Sequence, residues 1–536
     1  MDDLVKIALV GTSRNSAPIA AGEHPTGALV SATAADDRET LLLLHAGAQA
    51  IYGLAGRRPI AGVAALVPAE AETARMASRK LAGLLANGVA TNATDLLVDF
   101  LRQMRGNQIV VPPDLLPLLL NCADVAVREQ LLPVLGERGK WLSRQNPAWS
   151  WVDRGIAHLT DTDQIELKRA WDEGTIAERR QVLASLRRSD PRRAREWLEP
   201  TFAQEKPAHR VSLLEELAVG LSAADEPFLD GCLADRAPSV QQAAARLLCC
   251  LPDSSLSARM RARADAVLSL ETNGASRKKA KLTCAPPEKI DREADRDGIP
   301  SKAPAGRGLK ALWVETIIGA VPPSHWANKF ALAPAVLIEA VYDDPFEQAV
   351  LVGWSEAALR FGGADGESTA WLTPLWNHWA GAAKRMKGSG RAQALERLKS
   401  LLPSMPSDDA EQGMLALFTA AAGSDHVESL SLLPLLPRPW SAAFGERFLE
   451  LVRRVLGRET DNTAYQWSNA LFTAGRAIPA EVFTAAQAEW QLASPKRSSA
   501  WHVDAVGREV ERFLETIQTR QSFFAEVAAS MSTERS

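Results

Sequence analysis

LADRAPSVQQAAARLLCCLP (residues 233–252) is the stretch that decides the fold. It reads as the second half of a helical hairpin of the HEAT type. Asp235 precedes the turn, and Pro238 suits a first helical turn, where a missing N–H costs nothing. Val240, Ala244, Leu247, Leu248 and Leu251 recur at helical spacing, and Pro252 is a stop. Ala243 and Ala244 are small enough for a neighbouring helix to come close. Such a unit cannot bury its apolar face alone, so it implies stacked neighbours. The expected fold is all-α, an irregular HEAT-like α-solenoid.

Working outward, the helices come in pairs from about residue 156. Glu178–Arg188 is followed by Pro191–Leu198, then His209–Leu221, Glu226–Ala234 and Ser239–Leu251, with prolines at the breaks. Hairpins of this length suit repeats of ~40 residues. Towards the N-terminus, a short helix carries Leu4, Ile7 and Ala8 and stops at Gly11. Further helices are expected over Asp37–Leu54, Pro68–Ala86, Thr94–Arg105, Pro113–Cys122 and Asp124–Leu135. Ile109-Val110-Val111 is the one candidate strand, and the prolines after it argue for an extended lead-in to a helix.

Residues 271–308 break the pattern. Leu282, Ile290 and Ile299 are their large apolar residues, set among charged clusters and four prolines. The expectation is a linker or long surface loop dividing two helical arms, residues 1–270 and 309–536. In the second arm, PPSHWANKF (322–330) and PRPWSAAFGERF (437–448) both place phenylalanine four residues after tryptophan. Trp326/Phe330 and Trp440/Phe444 would each share a helical face.

Composition narrows the function classes. The 536 residues are 46% hydrophobic and 24% charged, which is globular, and the net charge of −4 gives no general attraction to nucleic acid or anionic lipid. The acidic start Met1-Asp2-Asp3 is unlike a secretory signal, and no apolar run is long enough to span a bilayer. A cytoplasmic protein without membrane attachment is expected. The five cysteines form no Cys-x-x-Cys pair and read as small buried side chains. The eight histidines are scattered singly, so neither a metal nor another cofactor is expected. Val10-Gly11-Thr12-Ser13-Arg14 lacks the spacing of a phosphate loop, and the common nucleophile and zinc motifs are absent. No catalytic residue is assigned. The fifteen tryptophans fit gap-filling between irregular repeats, with base stacking or partner anchoring as the alternative.

The candidate binding surface is the arginine-rich stretch 179–195, above all Arg187, Arg188, Arg192 and Arg195. Clustered guanidinium groups suit an anionic partner, either nucleic-acid phosphate or an acidic protein face. The plainer reading is a helix face laced with ion pairs. Arg192–Glu196 and Arg195–Glu199 are i,i+4 pairs, and Glu215, Glu216, Asp225, Glu226 and Asp230 follow in the next hairpin.

Several ordered motifs resemble a bacterial family known as domain of unknown function 5691. They are ALVGTSR (8–14), LPVLGERGKWLSRQNPAW (132–149), GTIAERR (174–180), SDPRRAREWLEP (189–200), the run 210–260 and DGIPSKAPAGRGLKALWVETIIGAVPPSHW (297–326). The resemblance implies a helical-repeat protein, often encoded near a MoxR-type AAA+ ATPase, a von Willebrand A-type protein and a SWIM zinc-finger protein. It implies no catalytic residues. Gln241 stands where HEAT repeats often carry arginine, which removes the usual rung of an Asp–Arg ladder. The sequence thus points to a non-enzymatic scaffold or adaptor for protein partners, an AAA+ ATPase or von Willebrand A-type protein among them. The alternative is a HEAT-like nucleic-acid-binding protein, even a base-processing enzyme, which needs a basic channel with aromatic and carboxylate groups.

Overall fold

Proline opens many of the helices. Pro191, Pro207, Pro238 and Pro323 each sit in a first turn, where the fixed φ is helical and no hydrogen-bonding N–H is lost. The computed structural model describes residues 2–13, 19, 26–31, 33, 35, 37–55, 66–91, 93–152, 161–272, 280–362, 366–421, 427–458, 462–493 and 500–532. The chain is all-α. Among the described residues, sheet is confined to two two-stranded pairs, and no helix is long and apolar enough to cross a membrane.

The chain divides into two units, Met1–Ala69 and Glu70–Ser536. The first holds α1 (Asp2–Val10), α2 (Gly27–Ser31) and α3 (Arg38–Ala55). Its small core gathers Leu4, Ile7, Ile19 and Leu42, while Leu9, Leu29, Leu43, Ile51 and Leu54 stay exposed.

The second unit begins with an extended segment, not with the helix expected over Pro68–Ala86. Strand β1 (Arg75–Met76) pairs in parallel with β2 (Ile109–Val110). The Glu72 carboxylate accepts the Glu137 backbone N–H at 2.7 Å. These long-range bonds outweigh the helix propensity of an Ala/Glu-rich run. Helix α4 (Arg79–Ala90) starts only at the Ser78 cap. It is followed by α5 (Thr94–Gly106), α6 (Val125–Leu131) and α7 (Gly136–Ser143).

The next helices are α8 (Asp161–Glu173), α9 (Ile176–Ser189), α10 (Pro191–Phe202), α11 (Pro207–Glu215), α12 (Glu226–Cys232), α13 (Pro238–Cys249) and α14 (Ser255–Val267). Each packs against a helix one or two places away in sequence, as α9 does on α10 and α11, and α12 and α14 on α13. The expected stripe of α13 is inward: Val240, Ala243, Ala244, Leu247 and Leu248 are all buried.

In segment 271–308, expected as a linker or long surface loop, most described residues are exposed and a few are anchored in the core. Residues 273–279, with the Arg277-Lys278-Lys279 cluster, lie outside the described residues. Around them, β3 (Leu268–Thr272) and β4 (Ala280–Cys284) form an antiparallel pair. After α15 (Arg292–Arg296) the chain crosses α13 as a strap, with Leu282, Ala294 and Ile299 buried. The Trp313 indole N–H donates to the Pro300 carbonyl at 2.8 Å. Few apolar residues are present, but Leu282, Ala294 and Ile299 are buried, and Asp297 and Pro300 add polar anchors.

Beyond the strap come α16 (Leu309–Gly319), α17 (Pro323–Phe330), α18 (Glu347–Phe361), α19 (Leu372–Arg385), α20 (Gly388–Leu401), α21 (Ser407–Ala421), α22 (Ala442–Leu456), α23 (Asn462–Ala477) and α24 (Ala500–Ser532). One core of buried residues runs from Trp171 to Ile517 and includes residues on both sides of the strap. The long α24 packs on α23 and also on α4 and α5. Phe523 stacks on Phe100 at 3.9 Å, and Arg520 bonds Asp99 and the carbonyls of Gly475 and Ile478. The last helix therefore ties the first layers of this unit to its final ones.

The tryptophans fill this core. Trp171, Trp326, Trp354, Trp371, Trp376, Trp440 and Trp467 are fully buried. The two Trp–Phe pairs do share a face, with ring centroids 5.9 Å apart for Trp326–Phe330 and 5.0 Å for Trp440–Phe444.

Candidate functional site

Most of the arginine-rich stretch is engaged inside the protein. Thr175 and Glu178 cap α9 reciprocally, which fixes its register. Val182, Leu183, Leu186 and Arg187 then form the buried face. The Arg187 guanidinium donates to both Asp225 carboxylate oxygens at 2.9 Å and to the carbonyls of Val219, Leu217 and Gly220. Both side chains of this pair are 0% exposed. Asp225 also accepts from Arg195 at 2.8 Å and from the Ser222 backbone N–H at 2.9 Å. Burial alone would raise the Asp225 pKa, but the bonds from Arg187, Arg195 and Ser222 outweigh it and hold the carboxyl below its ordinary value.

Arg187 therefore cannot meet a partner, and Arg195 is turned onto Asp225 instead of Glu199. Arg179 pairs with Glu205 and covers the Trp171 ring, and Arg180 pairs with Glu216. Arg188 and Arg192 remain on the surface, Arg192 beside Glu196. Asp190 caps α10, so the helical course breaks between these two arginines. Acids from later in the chain neutralise the cluster and link α9 and α10 ionically to the segments that follow. A further rung joins Arg210 to Asp235 at 2.7 Å, and the Gln241 amide donates to the Asp235 carbonyl. The link that Gln241 leaves out is thus made from α11.

A different set of cations surrounds a cavity of about 430 Å³ beneath the strap. Its walls are α13, α16, α18 and the strap from Asp297 to Arg307. Two glycines make the approach possible. Gly298 has φ +89°, and a Cβ there would lie 2.9 Å from the Ala245 Cβ. A Cβ on Gly353 would lie 2.8 Å from that of Ile318, so α16 and α18 pack closely only without it.

Five cations and three carboxylates line the cavity: Arg246, Lys302, Arg307, Arg360 and Arg397 against Asp297, Glu315 and Glu356. The carboxylates are all engaged. Arg259 and Arg263, on α14, bond to the buried Asp297. Arg307 pairs with Glu315, and Arg397 with Glu356. Arg360 donates to the Gly319 carbonyl at 2.8 Å, an uncharged acceptor. Among the described residues, the side chains of Arg246 and Lys302 have no hydrogen-bond or ion-pair partner. The Cys249 thiol in the wall is pushed up to about 12 by burial and stays protonated. No group of three or more His, Cys, Asp or Glu suited to a metal occurs among the described residues. This arrangement can attract and orient an anion.

Sequence reasoning missed Arg246, Lys302 and Arg360 because they lie far apart in the chain. The one available signal was local: Arg246 falls outside the apolar stripe of α13. No curated protein matches the chain. Residues 3–527 match the family of unknown function (DUF5691), in agreement with the motifs spread from 8–14 to 297–326, and the chain belongs to that family.

Proposed function

We propose that the protein is a HEAT-like helical-repeat scaffold, an adaptor that presents a helical surface to protein partners and performs no chemistry of its own. The observation that carries this reading is the packing order, in which each helix from α8 to α14 rests on a helix one or two places away in sequence, as stacked hairpins would. The fit to a protein partner is helped by the exposed Leu9, Leu43 and Ile51, which offer apolar area that a phosphate backbone would not use. The nucleic-acid reading loses its main support with the internal pairing of Arg187 and Arg195. An AAA+ ATPase of the MoxR type, or a von Willebrand A-type protein, is the partner class proposed.

The test is a binding titration of the full chain against such an ATPase and against a DNA duplex, each over a salt series. A stable complex with the ATPase and weak DNA binding is expected. Tight duplex binding that falls steeply with salt, with no ATPase complex, would reverse the assignment.

A further inference from the structure

We propose that the cavity beneath the strap binds a small molecule bearing phosphoryl or pyrophosphoryl groups. The charge arrangement carries the argument. Every carboxylate in the wall already has a cationic partner, which leaves Arg246 from α13, Lys302 from the strap and Arg360 from α18 without one. These three cations line one cavity from three separate elements, and an anion held there would be attracted by all of them. The guanidinium groups offer forked donors that suit phosphate oxygens, and Lys302 adds a point charge. Arg360 is already oriented by the Gly319 carbonyl, so part of the site is preformed.

The remainder of the wall defines the rest of the ligand. Met260, Leu312 and Val352 supply an apolar floor, suited to the uncharged part of an organic phosphate. The cavity's 430 Å³ lies within the range of roughly 300–1,000 Å³ usual for small-molecule sites. The strap enters directly: Lys302 lies on it, and Asp297 and Gly298 fix its course over α13. Ligand binding should therefore hold the strap in place.

The experiment uses the full chain and inorganic pyrophosphate, adenosine triphosphate and a hexaglutamate peptide at matched ionic strength, read by calorimetric titration and by thermal unfolding. Pyrophosphate or adenosine triphosphate should bind and raise the unfolding temperature. The double variant R246A/K302A removes two cations that bond no described residue, so its unliganded unfolding temperature should match that of the parent. Its affinity for the phosphates should fall by roughly a hundredfold, from the loss of two charge-assisted contacts. As a control, R188A/R192A should bind as the parent does. Equal phosphate affinity in R246A/K302A and the parent, or no phosphate binding by the parent, overturns the proposal. Binding of hexaglutamate in preference to both phosphates also overturns it and makes the cavity a receptor for an acidic protein segment.

Discussion

The arginines of 179–195 and the cations of the strap cavity are opposites in sequence and in space. The first set is crowded along the chain, yet its members are largely closed off by acids from neighbouring hairpins. Arg187 and Arg195 share Asp225, and Arg179 and Arg180 reach Glu205 and Glu216. The second set is scattered over more than a hundred positions, from Arg246 to Arg360, yet it faces one cavity whose carboxylates are taken by other cations. Charge density along a helical array is therefore a poor guide to charge density in space. Packing places each helix face against other segments of the chain, and what those segments supply decides whether a cation is neutralised.

The sharpest way to break the comparison is D225A. It leaves Arg187 buried without its carboxylate, a loss of about 3–5 kcal/mol for one half of a buried pair. Chemical unfolding should show it, and a cost below about 1 kcal/mol would mean that the arginine cluster does not hold the layers together. The same residue sets a pH dependence. Its folded pKa lies below the unfolded value of about 3.9, so its stabilisation is complete above that value and is lost as pH falls through the folded pKa. The parent should lose stability in acid more steeply than D225A does.

A buried arginine outside any cluster sharpens the point. R520A removes the bonds to Asp99, Gly475 and Ile478 and should cost about 3 kcal/mol. Hydrogen exchange should then rise in α4 and α5 together with α24. Unchanged protection in α4 and α5 would show that α24 does not tie them down.

The strap side is tested by G298V. The φ of +89° and the 2.9 Å approach to Ala245 disfavour any side chain, and the expected cost is about 1–3 kcal/mol, with faster proteolysis of 285–308. A strap as protease-resistant as the parent's would count against its role in shaping the cavity. The smallest effect belongs to R188A/R192A, which should leave stability within about 0.5 kcal/mol. A larger loss by thermal unfolding would place these two exposed arginines in the ionic network as well.

Legibility followed how local each determinant was. The turn and stripe of 233–252 were readable because Pro238, the apolar spacing and the small Ala243-Ala244 step all act within a few residues. The Trp–Phe pairs were readable for the same reason. The helix expected over Pro68–Ala86 failed because β1 is set by Ile109–Val110 and Glu72 by Glu137, contacts that no local propensity encodes. The burial of Arg187 had a local signal: it lies four residues after Leu183, on the apolar stripe of α9. An arginine on such a stripe calls for a buried acid, and Asp225 lies 38 residues away.

What the sequence determined by itself is the helical class, the hairpin punctuation and the family, because periodicity, capping and ordered motifs are properties of short stretches. What only the tertiary structure decided is the fate of the charges and of residues 280–308. A guanidinium is solvated, paired or aimed at a cavity according to which distant carboxylate reaches it. A segment poor in apolar residues is anchored as a strap when Leu282, Ala294 and Ile299 are buried and Asp297 meets two arginines from α14. Both outcomes depend on long-range contacts, whose energies belong to the packed layers and to no single stretch of chain.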